Sequence, residues 1–335
     1  MQKALFVCIF FVNICFAQKA DFNNINFSKA DGIAKSYRSK NLLNLNEITF
    51  NITKDLETDV EKLRSIYVWI CNNIANDFGL YTKNKRKRKR FQKDFIRLHE
   101  WNSEFKTLLF KRLLKRKKTI CTGYAYLLKE MCTIVGIEAK IVNGFGRTST
   151  VDFTTLTEAN HSWNVVKING KWYLCDPTWA TGISFPEEGR FYFQFNEGYF
   201  LTAPQLFFKN HFPIEKEFSL LKDKTPTLQE FIEMPLLYGE AYNFLEAHLY
   251  PTKMHQEIKQ NDVFTFEYQL KKEIKVDELK LVISSGSNER TVQPEINLQD
   301  KKLAITHQFK NRGFYDVHLY HQQKIIATYT FEISK

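Results

Sequence analysis

Cysteine is scarce in this chain and poorly spaced for metal binding. Six occur in 335 residues, and no two form a Cys-x-x-Cys pair. No cluster of histidine and cysteine has the spacing of a zinc site, so neither a metal nor a cofactor is expected. Long apolar runs are missing too, except for Ala4 to Phe16, which is too short to span a bilayer. Lys3 ahead of that run, and small residues at the two peptidase positions of Cys15-Phe16-Ala17 at its end, have the layout of a secretory signal peptide over residues 1–17. Cleavage after Ala17 and a secreted or periplasmic protein are therefore expected, with no transmembrane span. Past that point four cysteines are left, Cys71, Cys121, Cys132 and Cys175. An even number permits disulfides in an exported chain, but the spacing is not that of a dense disulfide framework. No internal repeat is visible. The charged fraction of 25% and apolar fraction of 44% are ordinary for a globular protein and exclude disorder on a large scale.

The length accommodates one large domain and a smaller one. Residues 18–48 are polar, rich in Asn and Lys, and read as a loosely packed lead-in. Apolar residues at Val60, Leu63, Ile66, Tyr67, Ile70 and Ile74 predict a helix, with Thr58 or Asp59 as its cap. Ile120, Tyr124, Leu127, Leu128, Met131, Ile134 and Val135 predict a second helix, from about Ile120 to Val135, stopped by Gly136. A short strand, Ala139 to Val142, then a glycine-containing loop and two strands around Asn169-Gly170 follow. From residue 240 the pattern changes. Alternating runs at Val263–Leu270, Glu278–Ser284, Leu303–Phe309, Tyr315–Tyr320 and Ile325–Ile333 predict a small antiparallel, immunoglobulin-like β-sandwich over 240–335.

Three local sequences carry chemistry: Thr119-Ile120-Cys121-Thr122-Gly123-Tyr124-Ala125, Asn160-His161-Ser162-Trp163-Asn164, and Trp172-Tyr173-Leu174-Cys175-Asp176-Pro177-Thr178-Trp179. Asn169-Gly170 favours a two-residue type I′ turn, which pairs Ile168 with Lys171 and Val166 with Tyr173. Continued, that register sets Trp163 opposite Asp176 and His161 opposite Thr178, so His161 and Asp176 become diagonal neighbours. Such pairs stand about 7–8 Å apart at the backbone, within reach of an imidazole and a carboxylate. Trp163, Val165, Trp172 and Leu174 share their face as an apolar floor, whereas Cys175 points the other way. Cys121 opens a helix, where unpaired N–H groups and the dipole favour a thiolate. His161 can take its proton, Asp176 can orient the imidazole, and the Cys121 backbone N–H can donate to an oxyanion. The second oxyanion donor is expected upstream, with Trp101 as the candidate. Trp163 and Trp179 are the expected substrate contacts. Cys132 lies eleven residues along the same helix, about 16 Å away, too far to bridge Cys121. Cys132 and Cys175 read as core thiols, and Cys71 as either a core thiol or one half of a disulfide.

These motifs resemble those of the transglutaminase-like superfamily over about Val60 to Trp179. Tyr199-Phe200-Leu201-Thr202-Ala203-Pro204, His211-Phe212-Pro213 and Leu220-Leu221 extend the resemblance to about Tyr242, in the branch of the kyphoscoliosis peptidase and the transglutaminase-like domains of cytokinesis proteins. The resemblance implies an α+β, papain-like core over residues 49–239. It assigns the catalytic roles to Cys121, His161 and Asp176, and it implies a thioester intermediate on protein or peptide amides. Where the family commonly has glycine just before the nucleophile, this chain has Lys117-Lys118-Thr119-Ile120. No Asp-x-Asp-x-Asp-Gly loop is present, which disfavours a calcium-activated animal-type transglutaminase and leans toward a cysteine peptidase or amidase. The alternative from another class is an adhesion or scaffold protein that keeps the fold without the activity.

One segment stands apart by charge. Residues 83–118 hold 16 Lys and Arg against Asp94, Glu100 and Glu104, a net of +13, while the whole chain carries +11. This basic insert reads either as a solvated loop or as a patch for an anionic partner, centred on Lys85–Arg90. For an exported protein, anionic lipid or an acidic cell-surface polymer fits better than nucleic acid. Because the insert leads into Cys121, it is expected to rim the active-site cleft.

Overall fold

The computed structural model describes residues 18–335 other than 39–41, 150, 155, 157 and 186. The expected signal peptide lies outside the described residues.

Helix α1 (Ser28–Ser36) and α2 (Leu45–Thr53) precede α3 (Asp59–Asn73), which starts on a capping box: Thr58 accepts from the Glu61 N–H and Glu61 reaches back to Thr58. Leu63, Ile66, Tyr67, Trp69 and Ile70 of α3 are all fully buried. Strand β1 (Ala75–Asn76) leads to α4 (Phe78–Phe91) and α5 (Phe95–Arg116), and β2 (Lys118–Thr119) returns parallel to β1. Then come α6 (Cys121–Ile134), β3 (Ala139–Gly146), β4 (His161–Ile168), β5 (Lys171–Cys175) and the short α7 (Pro177–Thr181). A β6–β7 hairpin (Gly182–Phe185, Arg190–Phe193) is followed by β8 (Phe200–Thr202) and β9 (His211–Pro213). The central sheet runs β8-β5-β4-β3-β9, antiparallel throughout, with α6 packed on β3 and β4. Gly136 ends α6 at φ +78°.

The hairpin register agrees with expectation as far as the ladder goes, from Ile168–Lys171 to Asn164–Cys175, and Asn169 and Gly170 both have positive φ. Beyond Cys175 the chain leaves the sheet. The strand predicted at Ala139–Val142 continues to Gly146, taking in both glycines of the expected loop. Its glycines are there because neighbours come too close for a side chain. A Cβ at Gly144 would lie 2.1 Å from the Phe212 carbonyl oxygen and 2.5 Å from Trp163, and one at Gly146 would lie 2.8 Å from His161 Cβ.

The lead-in over 18–48 is not loosely packed. Ala30 and Ala34 are fully buried, and Asp31 takes two hydrogen bonds from the buried Arg64 of α3, at 2.6 and 2.9 Å. Arg64 gives two more to Glu197, at 2.8 and 2.7 Å. Gln18 spans the Trp172 carbonyl and the Leu174 N–H, and Asp21 accepts from Lys171 and Tyr173. The segment's polar residues have partners distant in sequence, so composition alone misreads it. The basic insert is likewise no loop. It is the α4–α5 helical hairpin, started by Asp77 and Asp94 accepting from the N–H groups of Leu80 and Arg97, around a small core of Leu80, Trp101, Phe105, Leu109 and Ile120.

The C-terminal region is all-β. One sheet orders β10 (Leu236–Leu237), β19 (Lys324–Ser334), β18 (Gly313–His321), β14 (Leu279–Ser285) and β15 (Asn288–Val292), with β12 (His255–Lys259) also on β19. The other orders β11 (Leu245–Tyr250), β13 (Val263–Leu270), β17 (Lys302–Gln308) and β16 (Glu295–Gln299). Phe264, Phe266, Tyr329 and Phe331 pack between the two sheets. The five predicted strands are present as β13, β14, β17, β18 and β19, and the other strands are additional. Two details depart from expectation: β12 runs parallel to β19, and β10 joins the sandwich from before residue 240.

Candidate active site

Cys121 is the first residue of α6 and is half-buried. The β1–β2 pairing fixes the start of that helix, and Gly123 is required there because a Cβ would lie 1.8 Å from Thr119 Oγ1. At Lys117 the chain takes the left-handed conformation, φ 50°, so a lysine ends α5 in a conformation usually left to glycine.

His161, the first residue of β4, is buried and donates from Nε2 to Asp176 Oδ2 at 2.7 Å. That engagement leaves Nδ1 as the ring nitrogen not held by Asp176, and the charge of the imidazole acts on the Cys121 thiol. The indole of Trp179 stacks on the imidazole, with centroids 4.8 Å apart and 23° between planes. Asp176 stands just past β5, where it caps α7: Oδ1 accepts from the N–H groups of Thr178 at 2.8 Å and Trp179 at 3.1 Å. One carboxylate thus starts a helix with one oxygen and holds the histidine with the other.

A second histidine, assigned no role in the sequence reading, completes the arrangement. His211 of β9 donates from Nε2 to the same Asp176 Oδ2 at 3.0 Å. Strands β4 and β9 flank β3, with His161 opposite Gly144 and His211 opposite Gly146. The two glycines leave room above β3 for both rings, which stand 5.4 Å apart. Phe207 stacks on His211 at 3.8 Å. His211 was visible only as part of a branch motif. The glycine pair in β3 was the physical signal that two bulky side chains converge there.

The electrostatics separate the groups. Burial raises the Asp176 pKa, but the charge and hydrogen bond of His161 and the hydrogen bond of His211 outweigh it and hold the carboxyl well below its usual range. Burial disfavours imidazolium at His161, yet Asp176 and Cys121 together push its pKa up to about 10. Burial also opposes ionisation of Cys121; the hydrogen bond and charge of His161, with the Ser162 backbone N–H, bring that thiol below its ordinary value. His211 goes the opposite way, pulled down to about 4 by burial despite its contact with Asp176. The other thiols are all raised by burial: Cys175 to about 12, Cys71 and Cys132 further. Among the described cysteines all four are free, and Cys71 lies against the Pro177 carbonyl.

Two sequence expectations change. Trp163 is only 1% exposed, packed against Phe207 and His211 beneath the imidazole, so it supports the site and does not face a substrate. Of the two expected contacts, Trp179 alone is half-exposed. Trp101 donates its indole N–H to Asn84 Oδ1 at 3.0 Å inside the hairpin core, so it is not directed at an oxyanion. His161, Asp176 and His211 also bring three donor atoms within 4.8 Å of one another, close enough to hold an ion together. Here those atoms bond to one another, and a metal would have to break the His161–Asp176 contact to bind.

Residues 46–177 match the Transglutaminase-like superfamily. The chain is 32% identical over 228 residues to the Kyphoscoliosis peptidase of Mus musculus, a match covering 66% of this chain and 31% of that protein; the Homo sapiens protein matches equally. It is 23% identical over 234 residues to Hillarin of Drosophila melanogaster, covering 66% of this chain and 26% of that one. The chain thus spans about a third or less of the length of the curated relatives it matches. Among solved structures, the filamin domain of Lin-41 covers 23% of this chain at 13% identity with a TM-score of 0.19, which carries no argument.

Proposed function

Because the chain carries a transglutaminase-like domain, we propose that Cys121, His161 and Asp176 form a working catalytic triad for acyl transfer from protein or peptide amides. The observation that carries this reading is the hold of Asp176 Oδ2 on His161 Nε2 at 2.7 Å, in a site where Cys121, at the start of α6, is drawn toward ionisation while the buried Cys71, Cys132 and Cys175 are pushed away from it.

In the proposed reaction the Cys121 thiolate attacks the amide carbonyl carbon, and the oxygen takes the negative charge. The Cys121 backbone N–H, first in α6 and without a partner within its helix, is the donor assigned to receive it. His161 gives its Nδ1 proton to the leaving amine, the C–N bond breaks and a thioester forms on Cys121. Water then attacks the thioester with His161 as base, releasing acid and restoring the thiol. The similarity to a protein named a peptidase supports water over an amine as the acceptor. Export through residues 1–17 belongs to the same reading, and N-terminal sequencing of the mature protein tests it.

A thiol-directed acyl probe tests the chemistry. Labelling of Cys121 near one per chain, rising with pH and lost in His161→Ala, supports an enzyme. Labelling no faster than that of Cys132 would instead leave a non-catalytic scaffold.

A further inference from the structure

We propose that the α4–α5 hairpin docks this protein on an anionic lipid bilayer, with Phe95 and Ile96 entering the interface. The first two residues of α5, just past the turn between the helices, expose those apolar side chains at 80% and 74%. Lys89, Arg90, Lys93 and Arg97 surround them in sequence, and Lys85 and Arg86 stand a turn further along α4. All six basic residues are exposed, and among the described residues only Arg97 of these is in an ion pair, with Asp94. Asp94, the single acid at the tip, is there to cap α5.

Charge alone would suit any polyanion. The apolar pair decides between them, since a soluble polymer offers nothing to cover Phe95 and Ile96, whereas a bilayer interface takes up apolar groups beside basic ones. The hairpin's own core leaves both residues out, so the tip is free to insert without unpacking. Its base is at the candidate active site: the Asp77 N–H donates to the Thr119 carbonyl at 2.7 Å, and Tyr81, one turn into α4, feels the charge of Cys121. Fourteen residues of α4 extend about 21 Å, so docking by the tip would hold Cys121 about that far above the lipid. The proposal rests on hairpin geometry and charge and does not depend on the triad being active.

Co-sedimentation with phosphatidylcholine vesicles, with and without about one-third phosphatidylserine, tests it. Binding is expected only to the anionic vesicles and is expected to weaken between about 0.1 and 0.5 M salt. Phe95→Ser with Ile96→Ser should lower partitioning about tenfold while leaving heparin binding unchanged. Neutralising Lys85, Arg86, Lys89 and Arg90 to Gln should lower both. All these positions are exposed, so circular dichroism should show unchanged helix content. Full vesicle binding by the tip variant, equal binding to neutral vesicles, or heparin binding without vesicle binding would overturn the proposal, the last pointing to a soluble polyanion.

Discussion

Asp176 and the two histidines it holds respond differently to pH. His161 has a raised pKa, so the stability it contributes is complete below about 6.5, the unperturbed histidine value, and is lost as pH rises toward about 10. His211 has a lowered pKa: above about 6.5 it costs nothing, and as pH falls toward about 4 the unfolded chain gains a proton that the folded one refuses. That penalty reaches about 3 kcal/mol. Denaturant titrations between pH 7 and 4 should therefore show a loss of stability that His211→Asn reduces. The same variant should lower kcat more than KM and lower the alkaline limb of the rate profile, because Asp176 would be less firmly held against His161. In wild type the profile should rise below the ordinary thiol pKa as Cys121 ionises and fall near pH 10 as His161 loses its proton. Cys121→Ala should abolish turnover, whereas Cys132→Ala should leave the rate unchanged and cost stability through its core cavity.

At the scale of elements, local reading succeeded wherever one short stretch carried the cause. Asn169-Gly170 set the register of β4 and β5, and Gly136 marked the end of α6. It failed where the cause lay far away. Asp31 finds Arg64, and Asp21 finds Lys171 and Tyr173, so a polar segment packs on the domain without an apolar pattern of its own. The pairing of His161 with Asp176 was legible because both residues sit at the open end of one hairpin. His211 was not, since β9 reaches the site only through its pairing with β3. Arg64→Ala should lower unfolding free energy by about 3 kcal/mol, read from urea melts, because it leaves Asp31 and Glu197 without their shared partner. Gly146→Ala should cut the catalytic rate far more than it cuts helix content, by pressing a methyl onto His161.

For the whole molecule, a mixed helix-and-strand core and a C-terminal all-β region are both present, and they share one hydrophobic core. One hydrophobic cluster runs from Ile70 and Trp163 through Tyr242 and Phe244 to Phe266 and Tyr329. β10 adds its pairing to the sandwich from the other side of the predicted boundary. Calorimetry of the full chain should therefore show a single unfolding transition, and a chain ending at residue 239 should lose solubility as Tyr242, Phe244 and their neighbours are removed from that core.

The double duty of Asp176 bears on how such a site would decay. Cys121 only opens a helix whose start is set by the β1–β2 pairing, so the fold does not depend on its sulfur. Asp176 caps α7 and satisfies two buried rings at once. Were the proposed catalysis lost in a descendant, the thiol would drift first and the carboxylate would stay. Among inactive relatives, then, an intact aspartate is a record of folding, and only the cysteine testifies to chemistry.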